Sequence, residues 1–335
     1  MTTCHLCSRW YFVIMIPKYY SDKNIYYWSQ TKVRMPMSAL ICEYMIRQPE
    51  YKKAKKEYES ANTDDPQDLL KDTMLLWDKP TNIRMTAGSA IHHAAMQAAN
   101  GKDIEDAFAE IWEEGYTDAV RKENHLGLKH YKPVSFREDD KKLKEYLTPE
   151  IYRSVLKNAT SGYQEALRGA NIIVPEEKIE VEFDNIEVPV VGYVDAFGNK
   201  TVVELKTKWD TINSRAKSGF SNNSTPSKLG PNEQNDVTQV SLYKKALGAE
   251  HAKIIYANRL DYKIHDVTND MAENALKSFH QSLRVRQNQM KAVGEGEQSV
   301  QKLISTTEAD FSYFMFRDYH PDQIEIFKQI FLEQQ

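Results

Sequence analysis

Val190-Val191-Gly192-Tyr193-Val194-Asp195-Ala196-Phe197-Gly198-Asn199-Lys200-Thr201-Val202-Val203-Glu204-Leu205-Lys206-Thr207 reads as two apolar, β-branched runs around a Gly198-Asn199 pair. That is the composition of two strands, Val188 to Phe197 and Lys200 to Thr207, joined by a tight hairpin turn. If Phe197 pairs with Lys200, Asp195 lies opposite Val202 and Tyr193 opposite Glu204, because paired positions share a face. Asp195 and Glu204 are then diagonal neighbours, their Cβ atoms about 6 to 8 Å apart, a gap that one divalent cation between two carboxylates can bridge. Lys206 points to the same side because side chains alternate with period two. The opposite face carries Val194, Val203 and Leu205 and can enter a core. The competing reading makes Glu204 and Lys206 the solvated side of an amphipathic edge strand, with Asp195 unrelated.

Two helices add polar groups at one-turn spacing. Ala87 to Ala99 is alanine-rich, with Ile91, Ala94, Ala95 and Ala98 on an apolar side and Gly88 one turn before His92. A glycine there permits another part of the chain to approach closely, which suits an imidazole facing a crowded site. Gln239 and Tyr243 share a face of a helix starting near Asn235-Asp236, both good caps, with Val240 and Leu247 as its buried stripe. The plainer alternatives are a satisfied structural histidine, a core tyrosine and a solvated glutamine. Upstream, Lys178 to Phe183 alternates Ile179, Val181 and Phe183 against Glu180 and Glu182, and Glu182 is an additional acidic candidate. A solvated strand face explains the same pair.

Asp195 with Glu204-x-Lys206 on a hairpin resembles the core motif of the PD-(D/E)xK nucleases. Gly88-Ser89-Ala90-Ile91-His92 is similar to the upstream Gly-x-x-x-His helix of the RecB-like exonuclease branch, and Gln239-Val240-Ser241-Leu242-Tyr243 to its downstream Gln-x-x-x-Tyr helix. The three pieces span residues 85 to 260, in the family's order; Met37 to Tyr44 resembles its N-terminal helix more faintly. The resemblance implies an α/β fold with a restriction-endonuclease-like core, a central mixed β-sheet flanked by helices. It implies a Mg²⁺-dependent deoxyribonuclease, an exonuclease hydrolysing phosphodiester bonds in DNA recombination, repair or phage replication. Its implied catalytic set is Asp195, Glu204 and Lys206. Its implied ligands are His92, Asp195, Glu204 and the Leu205 backbone carbonyl, around one or two ions. Gln239 and Tyr243 are expected to contact DNA and support Lys206. Oxygen-dominated ligation favours Mg²⁺, and the imidazole also suits Mn²⁺. The alternatives are a structure-specific endonuclease, a CRISPR-type trimming nuclease and, from another class, a non-catalytic DNA-binding subunit. Retention of all four side chains argues against the last.

The 335 residues are 41% hydrophobic and 11% aromatic, enough to bury a substantial core. A formal charge of −4 leaves DNA binding to local patches. One candidate is Lys208 to Lys228, where Lys208, Arg215 and Lys217 stand among Ser, Asn and Gly with Trp209 and Phe220 as stacking groups. The basic stretch Lys277 to Lys291, with Arg284 and Arg286, reads as a solvated face. Cys4, Cys7 and Cys42 all precede the motifs, so the iron–sulfur ligation of some RecB-like enzymes, with three cysteines after the core, is not expected. Cys4-His5-Leu6-Cys7 lacks a second ligand pair for zinc. Three cysteines without a framework fit a reducing cytoplasm; that the cell is bacterial or phage-infected is what the resemblance implies. The apolar run Trp10 to Ile16 is too short to span a membrane, and no Walker-type loop occurs.

The expected organisation is an extension over 1–36, with an upstream read-in before a start at Met35 or Met37 as the alternative, a nuclease domain over 37–292, and a C-terminal helical segment over 293–335. Lys52 to Glu59 and Asp103 to Lys122 read as helices around an acidic connector, Asn62 to Asp68, and Lys253 to Asn258 as a buried strand. Beyond Gly294 to Gln298, the Phe311 to Phe316 cluster and an Ile324 to Leu332 helix are expected to dock back. Expected partners are DNA and, by family analogy, a single-strand annealing protein, with a homo-oligomer open and no membrane association.

Overall fold

The computed structural model describes residues 29–39, 83–112, 142–143, 145–172, 174–293, 305–308, 310–312, 316, 324–325, 328 and 331. Cys4, Cys7, Cys42, the Trp10 to Ile16 run, the Lys52 to Glu59 helix, the Asn62 to Asp68 connector, residues 113–122 and Gly294 to Gln298 lie outside the described residues. The elements in chain order are α1 (Gln30–Arg34), α2 (Ile83–Ala99), α3 (Ile104–Ile111), α4 (Pro149–Ala166), β1 (Val174–Val181), β2 (Val190–Gly198), β3 (Thr201–Thr207), β4 (Thr211–Ile212), β5 (Phe220–Ser221), α5 (Gln234–Leu247), β6 (His251–Ala257), β7 (Tyr262–Asp266) and α6 (Asn269–Val293). The chain divides into two compact units, 81–184 with 189–281, and 1–80 with 185–188 and 282–335. No helix among the described residues is long and apolar enough to cross a membrane.

The first unit is an α/β structure around a mixed five-stranded sheet in the order β1-β2-β3-β6-β7. Neighbours are antiparallel except β3 and β6, which run parallel from Thr201↔His251 to Thr207↔Ala257. A parallel pair needs a long crossover, and α5 supplies its helix. β3 is therefore central rather than an edge, and Thr201 to Leu205 are all buried. This removes the reading of Glu204 as a solvated edge residue.

Period two sorts the central strands. Val203 and Leu205 of β3 join Ile255 and Ala257 of β6 in a core with α2, α3 and α4. α2 contributes Ile83, Ala87, Ile91, Ala94, Ala95 and Ala98, and α4 contributes Tyr152, Val155, Leu156, Ala159 and Tyr163, both at helical spacing. Glu204 and Lys206 face the other way, where α5 lies: Lys206 and Tyr256 reach its side chains. α2 can sit close to the end of β3 because residue 88 is glycine; a Cβ there would stand 3.0 Å from Thr207 Oγ1.

The hairpin register differs from expectation. The pairs are Ala196↔Val203, Phe197↔Val202 and Gly198↔Thr201, so the turn residues are Asn199-Lys200, at φ 48° and 57°. Two successive left-handed residues are what a two-residue turn needs to match the strand twist. Gly198 is instead required by closeness, since a Cβ there would meet the Asn171 carbonyl oxygen at 2.5 Å. Extending the observed register sets Asp195 directly across from Glu204, not diagonal to it. The shift is two positions, so the two carboxylates still share a face.

Within the other unit, Ser38 Oγ donates to the Asp310 carbonyl at 3.0 Å and Arg286 donates to the Met35 carbonyl. Phe311 packs its ring 5.0 Å from Phe316 and 5.8 Å from Phe331.

Candidate active site

β2 pairs with β1 along its length but with β3 only up to Ala196↔Val203. Beyond that point the Leu205 N–H, still aimed toward β2, donates to Asp195 Oδ2 at 2.9 Å. The Asp195 carboxylate thus takes a ladder bond of β3 and is fixed between the two diverging strands. A strand residue directs its N–H and C=O to the same side, so the Leu205 carbonyl is presented toward Asp195 as well. α2 brings His92 Nε2 to 4.0 Å from Asp195 Oδ1. His93, one residue on, is exposed and bonds Gln97 Nε2 at 2.9 Å.

Glu204 is 1% exposed. Its Oε1 receives the Lys206 ammonium, while Oε2 is buried and accepts no hydrogen bond among the described residues. Burial and then repulsion from Asp195 push its carboxyl up to about 8, against the pull of Lys206. Burial alone would lower the Lys206 ammonium, but Glu204, Asp236 and Asp195 outweigh it and hold it well above the usual lysine range.

α5 holds Lys206 from above. Gln239 Oε1 accepts from Lys206 Nζ at 3.0 Å, and Gln239 Nε2 donates to Tyr243 Oη at 2.6 Å. Tyr243 is buried, and burial followed by the charges of Glu204 and Asp195 raises its phenol far above normal. It packs over Gly192, where a Cβ would come within 3.1 Å of its ring.

Among the described residues no three His, Cys, Asp or Glu side chains form a ready-made metal cage. The donor set nevertheless fits a hard cation. Asp195 stands close enough to Glu204 to oppose its ionisation, one Glu204 carboxylate oxygen is buried without a donor, and an imidazole borders them. Such a group requires positive charge or a proton, and oxygen donors with one nitrogen suit Mg²⁺ or Mn²⁺.

No protein-family model and no curated protein matches the chain. Among solved structures it is similar to a "putative exonuclease" from Eubacterium rectale, with 14% identity over 81% of this chain and 85% of that one, at a TM-score of 0.40.

His92, Asp195, Glu204, Leu205, Lys206, Gln239 and Tyr243 thus meet around the β2–β3 divergence. Glu182 does not: it is exposed beside Phe183, with Glu180 paired to Lys178 at 2.6 Å, and no described contact links it to Asp195 or Glu204. The stacking role expected of Trp209 and Phe220 is corrected. Trp209 is 3% exposed and packs 5.2 Å from Tyr152, and Phe220 is stacked 3.9 Å from Tyr146. Lys208 lies 4.9 Å over the Tyr256 ring, whereas Arg215 and Lys217 are exposed.

Asp236 was legible only as a helix cap. Its Oδ2 accepts from Tyr256 Oη at 2.7 Å, and its Oδ1 stands 3.8 Å from Lys206 Nζ. The spacing Asp236, Gln239, Tyr243 puts all three on one helix face, a signal present in the sequence. Only the parallel pairing of Lys206 with Tyr256 gives it a target.

Proposed function

We propose that this protein is a divalent-metal-dependent DNA nuclease, an exonuclease of RecB-like type. The observation that carries the reading is the convergence of Asp195, Glu204 and Lys206 where β2 leaves β3, with His92 at 4.0 Å from Asp195. Asp195, Glu204, the Leu205 carbonyl and His92 would hold one or two Mg²⁺ or Mn²⁺ ions, which would acidify an attacking water and compensate charge on the phosphate. Lys206 carries a fixed positive charge beside these carboxylates, suited to orienting a water or offsetting transition-state charge. Gln239 restricts where that ammonium can sit, and Tyr243 fixes Gln239. Exposed Arg215 and Lys217 offer phosphate contacts outside the acidic centre. The exonuclease assignment, a role in recombination, repair or phage replication, and a single-strand annealing partner rest on the three-motif resemblance; the cytoplasmic location rests on the cysteine usage.

The test is digestion of end-labelled linear and of circular DNA, single- and double-stranded, with Mg²⁺, Mn²⁺ or EDTA. Loss of linear but not circular DNA, dependent on metal and reduced on the order of 10²-fold or more in Lys206→Ala, supports the reading. Cutting of circles makes the protein an endonuclease. Metal-independent binding without cleavage makes it a DNA-binding subunit.

A further inference from the structure

We propose that Asp236 is the second berth of the Lys206 ammonium, receiving it when a divalent cation takes Glu204. The inference rests on the metal-dependent reading above and extends it to a residue outside the motifs. Among the described residues, Lys206 Nζ has three side-chain acceptors in reach: Glu204 Oε1, Gln239 Oε1 at 3.0 Å and Asp236 Oδ1 at 3.8 Å. The first belongs to the carboxylate that a cation would claim. An ammonium and a dication a few ångströms apart repel strongly in a site shielded from water, so cation entry requires Lys206 to leave Glu204. Gln239 is neutral and already bonded to Tyr243. Asp236 alone among the three offers a compensating charge away from Asp195 and Glu204.

Its placement suits that use. Tyr256 is fully buried in β6, and its hydroxyl fixes Asp236 Oδ2 at 2.7 Å, leaving Oδ1 on the side of Lys206. The carboxylate sits in the first turn of α5, where the helix dipole favours negative charge. A shift of Nζ of about an ångström turns the 3.8 Å ion pair into a charge-assisted hydrogen bond at about 2.8 Å. Asp236 is thus a positioning residue, acting through Lys206. A purely capping role would stabilise α5 without any coupling to Lys206.

The deciding experiment is a double-mutant cycle read by calorimetric Mn²⁺ binding to the full chain: wild type, Asp236→Asn, Lys206→Met and the pair. Asp236→Asn is expected to weaken Mn²⁺ binding roughly tenfold, the size of one charge-assisted interaction, and to change it less than about twofold in the Lys206→Met background, where no ammonium needs rehousing. An equal loss in both backgrounds, or no loss in either, overturns the proposal and leaves the nuclease reading standing. Absence of Mn²⁺ binding to the wild type overturns both. If Asp236→Asn does not fold, Tyr256→Phe frees the same carboxylate from its anchor and must show the same dependence on Lys206.

Discussion

Glu204 is the residue on which site chemistry and fold stability meet. Its carboxyl lies at about 8 in the folded chain against an ordinary 4.5. Folding therefore favours its protonated form. The stability this contributes is complete below about pH 4.5 and is lost progressively as pH rises toward 8. Thermal denaturation in EDTA should show a melting temperature falling over that window. Glu204→Gln should flatten the fall, because the amide has no proton to lose. Millimolar Mn²⁺ should oppose it in the wild type, since a ligand that binds only the folded chain stabilises it by mass action. A wild-type profile as flat as that of Glu204→Gln would show that the carboxylate is not opposed by its surroundings.

At the scale of elements, two junctions can be tested. Lys200 occupies a left-handed turn position at φ 57°, a conformation glycine adopts without strain. Lys200→Gly should raise the melting temperature by roughly 2 °C, although it gives up the exposed pair with Glu250. A fall of similar size would place the gain from the ion pair above the cost of the turn. At the other junction, Gly88→Ala gains about 1 kcal/mol of helix propensity but presses on Thr207 Oγ1 at 3.0 Å. Denaturant titration should find the single substitution near neutral and the same change clearly stabilising in a Thr207→Ala background. Additive effects in the cycle would mean that α2 and β3 do not crowd each other there. These junctions also mark where the sequence was readable. Strand and helix identity followed from local pattern, as in Ile91, Ala94 and Ala98 or Ile179 and Val181. The Asn199-Lys200 turn did not, because Gly198 offered a stronger turn signal although its smallness serves contact with Asn171. Asp236 and Tyr256 were invisible as site residues because the parallel register of β3 and β6 is a long-range fact. Trp209 looked like a stacking group because sequence alone does not separate a buried indole from a displayed one.

For the whole molecule, charge is the property that any polyanion meets first. A net of −4 and an acidic centre leave attraction to exposed groups such as Arg215 and Lys217. The Arg215→Ala, Lys217→Ala double variant should reduce the slope of log binding constant against log salt by about 1.4 to 1.8, according to strand state. Its melting temperature should stay near that of the wild type. An unchanged slope would remove this loop from the DNA path. The placement of β3 has one more consequence, in the order of synthesis. β3 ends at Thr207, and β6, the partner that makes it central, begins only at His251. Until β6 has followed it out of the ribosome, β3 has an open edge, the template on which strands from different chains aggregate. Glu204 and Lys206 then interrupt an otherwise apolar run, as gatekeeper charges do in vulnerable strands. The charges that the finished site confines beside α5 would thereby guard the edge of β3 until β6 covers it.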